Sequence, residues 1–243
     1  MDVPTTVKTA LADQPVEGAV CLEAGAGVGN TTCGLLDAGA RHVFAVTNDA
    51  DHARLVRDRL DAEQSTRTTV LRADIRALPL PDDAVELVTA HGLLNVVPAS
   101  SLGSLVGELR RVAAPGSRLV VDDYEPLPDD AAMRELVSLA NAARELADGR
   151  PALTFYAAET VRDLFVGRGW HFDRRRTLLD PVPWTRHHVL VHANMVRDAA
   201  DSLPDEFADP FRRETTRLVH DIGSESAGEM YSLAFRLPEQ TEP

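Results

Sequence analysis

The stretch Val20–Asn30, VCLEAGAGVGN, decides how this chain is read. A short apolar run from Ala19 to Leu22 ends in the carboxylate of Glu23. Gly25, Gly27 and Gly29 follow at alternate positions, and a helix-compatible segment opens at Asn30. Glycine tolerates positive φ and lets main-chain amides approach a ligand closely. A helix start behind the glycines adds the positive end of a peptide dipole. Two common cofactor loops are excluded by the spacing. A dinucleotide loop, G-x-G-x-x-G/A, needs glycine or alanine where Asn30 stands. A phosphate-binding loop needs Gly-Lys-Ser/Thr, and the one lysine of the chain is Lys8. On the glycines alone, a tight strand-to-helix turn without a ligand remains open.

Working outward, periodicity lays down an alternating pattern. Helices are expected over Thr5–Ala12, Asn30–Ala38, Ala50–Leu60 and Ser101–Val112, the last with Leu102, Leu105, Val106, Leu109 and Val112 at helical spacing. Strands are expected over Gly18–Leu22, His42–Thr47, Thr69–Arg72, Ala84–Ala90 and Arg118–Val121. Such alternation implies βαβ units and a parallel sheet. Ligands then bind beyond the carboxyl ends of the strands, at the point where the strand order reverses. Glu23, Asn48, Asp49, Asp74, His91 and Asp122–Tyr124 all fall at those ends. Beyond Pro126 the pattern is mainly helical: Ala131–Ala147, Ala158–Val166 and two helices within Arg186–His220 divided by Pro204 and Pro210. Trp170–Leu179 reads as a sixth strand and Glu229–Leu237 as a last, antiparallel one. The expected fold is α/β: a Rossmann-like doubly wound sheet, mostly parallel, with a helical cap. Its parts are a core over residues 1–180, a cap over 181–225 and a last strand with tail over 226–243.

At 243 residues with 44% apolar composition, there is material for one large core. No run of about 18 apolar residues suggests a membrane span, and the first residues lack the pattern of a secretory signal. Cys21 and Cys33 have neither metal-ligand nor redox spacing and are expected as small core residues in a reducing cytoplasm. The net charge of −13 argues against a nucleic-acid partner. The one basic run, Arg174–Arg176, is expected as a solvated strand edge. One lysine against 24 arginines suits the acidic surface of a halophilic, archaeal cytoplasm or reflects a GC-rich genome.

The segments LEAGAGVGN, VFAVTND, LRADIRALPLPDDAVELVTAHGLLNVV, LRRVAAPGSRLVVDDYEP and FYAAETVRDLFVGRGW, taken in order, resemble the class I S-adenosylmethionine (SAM)-dependent methyltransferases. The similarity is to their small-molecule branch, which includes ubiquinone/menaquinone-type enzymes. It runs from Val20 to about Leu179. It implies methyl transfer by in-line displacement to an oxygen, nitrogen or carbon of a small molecule, leaving S-adenosylhomocysteine (SAH). It also implies that Gly25, Ala26 and Gly27 pass under the methionine part of SAM, with Glu23 fixing the loop and attracting the ammonium. Asp74 would accept from the adenine amino group, and Ile75 would pack on the ring. Most relatives place an acidic residue where Thr47 stands, to hold the ribose; here Asn48 and Asp49 are the candidates.

His91 is the first candidate base, and it also lies where the cofactor is expected; Asp123 and Tyr124 come next, then Tyr156. His187, His188 and His192 lack a zinc-binding motif and are expected to line or overlie the acceptor pocket rather than hold metal. Trp184, Phe207 and Phe211 are candidates for its apolar walls. A monomer or homodimer without membrane attachment is expected. Rival readings are a non-catalytic SAM sensor and an aminopropyltransferase on the same fold. The halophilic reading makes its own prediction: dialysis to low salt lowers the melting temperature and activity, whereas a composition set by genome bias leaves both unchanged.

Overall fold

The computed structural model describes residues 3–239, so Met1, Asp2 and residues 240–243 of the expected tail lie outside the description. Seven strands form the main sheet: β1 (Val20–Ala24), β2 (His42–Thr47), β3 (Thr68–Arg72), β4 (Val85–His91), β5 (Ala113–Tyr124), β6 (His171–Leu179) and β9 (Met230–Arg236). Their order is β3-β2-β1-β4-β5-β9-β6. The first five run parallel, and β9 lies antiparallel between β5 and β6. A two-residue ribbon, β7 (Pro183–Trp184) with β8 (Glu225–Ser226), stands apart from it.

β1 sits where the order reverses, because the chain moves to β2 on one side and returns to β4 on the other. A crevice therefore opens above the carboxyl ends of β1 and β4. One face of the sheet is covered by α5 (Leu102–Val112) and α7 (Ala158–Val166), which bury Leu105, Leu109, Val161 and Phe165 against Val88, Leu119 and Phe235. The opposite face carries α1 (Thr5–Leu11) and α2 (Asn30–Asp37), with Val7, Leu11, Leu35 and Leu36 against Val43, Leu87 and Val120. Cys21 and Cys33 are buried in this layer as free thiols. α3 (Ala50–Arg59) packs Val56 against Ala45, and the short α4 (Ala62–Thr66), for which the apolar period gave no signal, is closed by a capping box between Asp61 and Gln64.

Three expectations are corrected. α6 (Ala132–Asp148), assigned to the core, belongs with α8 (Arg186–Ala200) and α9 (Asp205–Ile222). Met133, Leu136, Val189, Ala193, Val196 and Leu218 share one apolar cluster separate from the two sheet layers. Only Pro204 divides these helices: Pro210 is the sixth residue of α9, inside the helix, where it leaves the Glu206 carbonyl without its usual helical donor. Arg174–Arg176 do lie on the edge strand β6, but they are not a solvated edge. Arg174 Nη2 donates to Ala10 O at 2.8 Å and Arg176 Nη1 to Thr9 O at 2.5 Å, satisfying carbonyls that the end of α1 leaves unpaired. Both guanidinium groups also reach Asp13, and Arg174 above all holds its carboxyl down to about 2. Arg175 turns the other way, to Glu125, Glu159 and Glu229.

Gly34, inside α2, shows why a poor helix former stands there. A β-carbon would lie 2.6 Å from Val7 Cγ1 on α1. Gly34→Ala should therefore destabilise by about 1–3 kcal/mol through overpacking, although alanine favours helix by about 1 kcal/mol. In a Val7→Ala background the same substitution should cost far less, which urea denaturation of the four-variant cycle measures.

Candidate active site

β1 delivers Glu23 to the crevice 2% exposed. The Thr32 hydroxyl, one turn into α2, donates to Glu23 Oε2, and the Thr31 hydroxyl and Thr32 amide also favour the anion. Burial nevertheless dominates and pushes the carboxyl up to about 7. The glycines between strand and helix have different reasons to be there. Gly25 has a φ of 79°, and a β-carbon on it would meet Leu93 Cδ1 at 2.8 Å. Gly27 has a φ of 49°, and the space where its β-carbon would stand is open. The amides of Gly25 and Ala26 both donate to Val46 O, at 3.0 and 2.7 Å. They tie the loop to β2 rather than pointing at a ligand, which corrects the simplest reading of the glycine spacing.

Past β2, Thr47 is buried, and its Oγ1 accepts from the Asp49 amide at 3.2 Å. Asp49 Oδ1 accepts from His52 N at 2.9 Å and caps α3. Asn48 stands exposed between them. Asp74, after β3, is engaged by Arg76 through its side chain and amide, chiefly the side chain, which holds the carboxyl down to about 2. Ile75 is half-buried against the core.

The neighbouring ends of β4 and β5 meet in register at His91 and Asp122. His91 Nδ1 lies 2.9 Å from Asp122 Oδ2, with the imidazole 24% exposed and the Asp122 side chain 6% exposed. Burial alone would lower the imidazole pKa. The hydrogen bond to Asp122 and the charges of Asp122, Glu23 and Asp123 outweigh it, so the net direction is up. Asp122 Oδ1 is buried with no partner among the described residues. Asp123 points the other way and is 1% exposed. Its two oxygens accept from Asn95 Nδ2 at 2.7 Å, Asn95 N at 3.1 Å and Tyr124 N at 2.9 Å, which fastens the loop after β4. Burial raises its pKa against these bonds. The expectation of a proton-transferring Asp123 meets a carboxylate whose lone pairs are already in use.

Tyr124 follows on the His91 side and begins an aromatic wall. Its ring lies 5.8 Å from Phe155 and 5.5 Å from Trp184, and Trp184 meets His192 edge-on at 5.7 Å. Burial, then the charge of Asp123, raises the Tyr124 phenol to about 12, so it is a donor rather than a base. Trp184 Nε1 donates to Ala227 O at 2.9 Å, anchoring the wall. The Tyr156 hydroxyl is buried without a partner among the described residues. Phe211 is half-buried against the apolar cluster of α6, α8 and α9. Phe207 is 48% exposed, so it walls nothing within this chain. His192 Nδ1 bonds to His188 O, His188 Nδ1 approaches Pro183 O, and His187 is exposed. Among the described residues no cluster of three metal-ligating side chains forms.

The donor set suits a cation. Buried carboxylates stand at the ends of β1 and β5, one with an oxygen that is unpaired among the described residues, and the glycine loop after β1 leaves open space at Gly27. Comparison with known proteins points the same way. Residues 21–116 match the methyltransferase domain family. The chain is 30% identical over 226 residues to a malonyl-[acyl-carrier protein] O-methyltransferase of Halorhodospira halophila, spanning 91% of this chain and 69% of that one. This chain belongs to the class I SAM-dependent methyltransferases. It is thus an enzyme whose cofactor is SAM. A ubiquinone/menaquinone biosynthesis C-methyltransferase of Paracoccus denitrificans is 33% identical over 129 residues, about half of each chain. The fold is shared with a SAM-dependent methyltransferase of Mesorhizobium loti, at a TM-score of 0.60 and 16% identity over 96% of this chain and 98% of that one.

Sequence reasoning set Asp122 at a strand end without pairing it to His91, and overlooked Thr32 and Asn95. The run Val120-Val121-Asp122-Asp123 is apolar on both faces before it turns acidic, so alternation gave no cue to which aspartate faces the crevice. Asp123→Ala would leave the Asn95 donors buried and unpaired, and should destabilise the fold by roughly 2–4 kcal/mol. Chemical denaturation measures the loss, and faster amide exchange over residues 92–97 localises it.

Proposed function

We propose that this methyltransferase acts on a small-molecule acceptor that loses a proton as it is methylated. The reading rests on the His91–Asp122 pair at the switch point, partly open to the crevice and next to the aromatic wall. SAM supplies an electrophilic methyl group on a sulfonium. Glu23 and the loop Gly25–Gly27 would hold its methionine end, Asn48 its ribose, and Asp74 with Ile75 its adenine. Asp49 is less suited to the ribose because one oxygen already caps α3. The unit of α6, α8 and α9 forms a cap on the acceptor side, with Tyr124, Phe155 and Trp184 excluding water from the reacting groups. Positioning and desolvation then supply much of the acceleration.

Asp122 holds the Nδ1 proton of His91, which leaves Nε2 to take the acceptor's proton. Asp123 positions the adjoining loop, and Tyr124 contributes its ring. Acceptor oxygen and carbon are both in range, since the relatives compared above are named as an O- and a C-methyltransferase. The charge of −13 disfavours nucleic acid.

Calorimetric titration of SAM and SAH is the first test, with Asp74→Ala expected to weaken both. An acceptor screen scored by SAH formation follows; SAM binding without SAH formation for any acceptor would favour a sensor. With an acceptor in hand, His91→Ala should lower kcat by about 10²–10⁴-fold while SAM still binds. The wild-type kcat/KM should rise with pH through a midpoint above that of an ordinary imidazole, because the base must be neutral. Asp122→Asn removes the carboxylate that raises that midpoint, so the acidic limb should move to lower pH.

A further inference from the structure

Glu23 on β1, His91 on β4 and Asp122 on β5 form a row across three neighbouring strands. Glu23 registers with Thr89, and His91, two residues on, registers with Asp122, so all three side chains project to one face. The other charged group that acts on His91 is Asp123, at the next position of β5, while the Thr31 and Thr32 hydroxyls of α2 face Glu23 and Tyr124 lies two residues beyond Asp122 on the same strand. Among these side chains the only one able to carry positive charge is His91 itself. Asp122 offers one oxygen to His91 and keeps the other, Oδ1, buried and unpartnered among the described residues. An anionic oxygen without a donor is costly in such a place. The arrangement has room for one positive charge more readily than for two, since like charges in a poorly solvated site repel strongly. SAM and SAH differ there by one methyl group and one positive charge.

We propose that His91 exchanges its proton for the charge of the cofactor: it is protonated in the free protein and with SAH, and neutral when SAM is bound. This deepens the cofactor-site reading above and rests on it. The exchange makes the His91–Asp122 pair a discriminator between cofactor and product, and it readies the base only when there is a methyl group to transfer. In the reaction, His91 Nε2 takes the proton released by the acceptor as the acceptor–CH3 bond forms and the S–CH3 bond breaks with its electrons left on sulfur. Sulfur loses a positive charge and the imidazole gains one, so the charge held between Glu23 and Asp122 is unchanged. The raised pKa of His91 in the free protein, where its neighbouring carboxylates outweigh burial, agrees with a proton available for exchange.

The sign follows from linkage. A ligand that requires neutral His91 binds more tightly as pH rises, until the free protein has itself lost the proton. The SAM-to-SAH affinity ratio should therefore climb by up to about tenfold per pH unit and level off above the His91 midpoint. Calorimetry of SAM and SAH in phosphate and in Tris, which differ in ionisation enthalpy, counts the protons directly. The count is read as wild type minus His91→Asn, which removes the contribution of the ligand's own amino group. We expect SAM binding to release up to one proton through His91 and SAH binding to release almost none. Asp122→Asn should move the plateau of the affinity ratio to lower pH. Equal proton release for SAM and SAH, or an excess for SAM over SAH that persists undiminished in His91→Asn, would overturn the proposal and leave the cofactor site standing. Failure of folded wild type to bind either ligand would overturn the site reading as well. If His91→Asn does not fold, the imidazole Cε1 chemical shift of wild type decides the matter: a move towards the neutral position with SAM but not SAH supports exchange, and the same shift with both sinks it.

Discussion

The constraint on which the site depends is the reversal of strand order at β1. Connections leave this central strand in opposite directions, and the carboxyl ends of β1 and β4 at such a switch point are where sheets of this kind take their ligands. Each polar residue of the site arrives because its strand ends at that edge: Glu23 from β1, Thr47 from β2, His91 from β4, Asp122 and Asp123 from β5. The apolar layers beneath are built from fully buried Leu22, Leu87, Val88 and Leu119. They hold the strand ends in fixed register, and thereby bring His91 within 2.9 Å of Asp122.

Three carboxylates are buried at this edge, and the protein treats each differently. Glu23 is surrounded by hydroxyl and amide donors of α2, which couples the first strand to the first helix of the glycine loop. Asp123 is satisfied by the loop after β4 and by its own neighbour, so its charge fixes backbone. Asp122 shares one oxygen with an imidazole and keeps the other free among the described residues. Only the last leaves its bonding capacity unfilled, the condition expected of a group that serves a ligand rather than the fold.

The helices α6, α8 and α9 are a second apolar unit with its own core, fastened at a few polar points. Glu225 accepts from the amides of Ala132 and Met133 and closes the start of α6 from beyond the end of α9. Trp184 bonds across to Ala227 beside the β7–β8 ribbon. Continuity with the sheet comes through β9, whose first residue, Met230, registers with Tyr124. The aromatic wall therefore stands where the two cores join.

Much of this was legible in the sequence, because local rules govern it. The glycine loop, the alternation of strands and helices, the antiparallel last strand and the place of Glu23, Asp74 and His91 at strand ends all follow from apolar period and turn chemistry, which act over a few residues. Tertiary structure alone decided what depends on long-range register. It chose Asp122 over Asp123 as the partner of His91, because strand pairing sets which of two adjacent aspartates faces the crevice. It moved α6 from the sheet layers to the cluster of α8 and α9, since an amphipathic helix declares that it has an apolar face but not which surface covers it. It also set Arg174 and Arg176 against the carbonyls of α1, about 165 residues away in sequence. Pattern determines which groups exist at an edge; packing determines which of them touch.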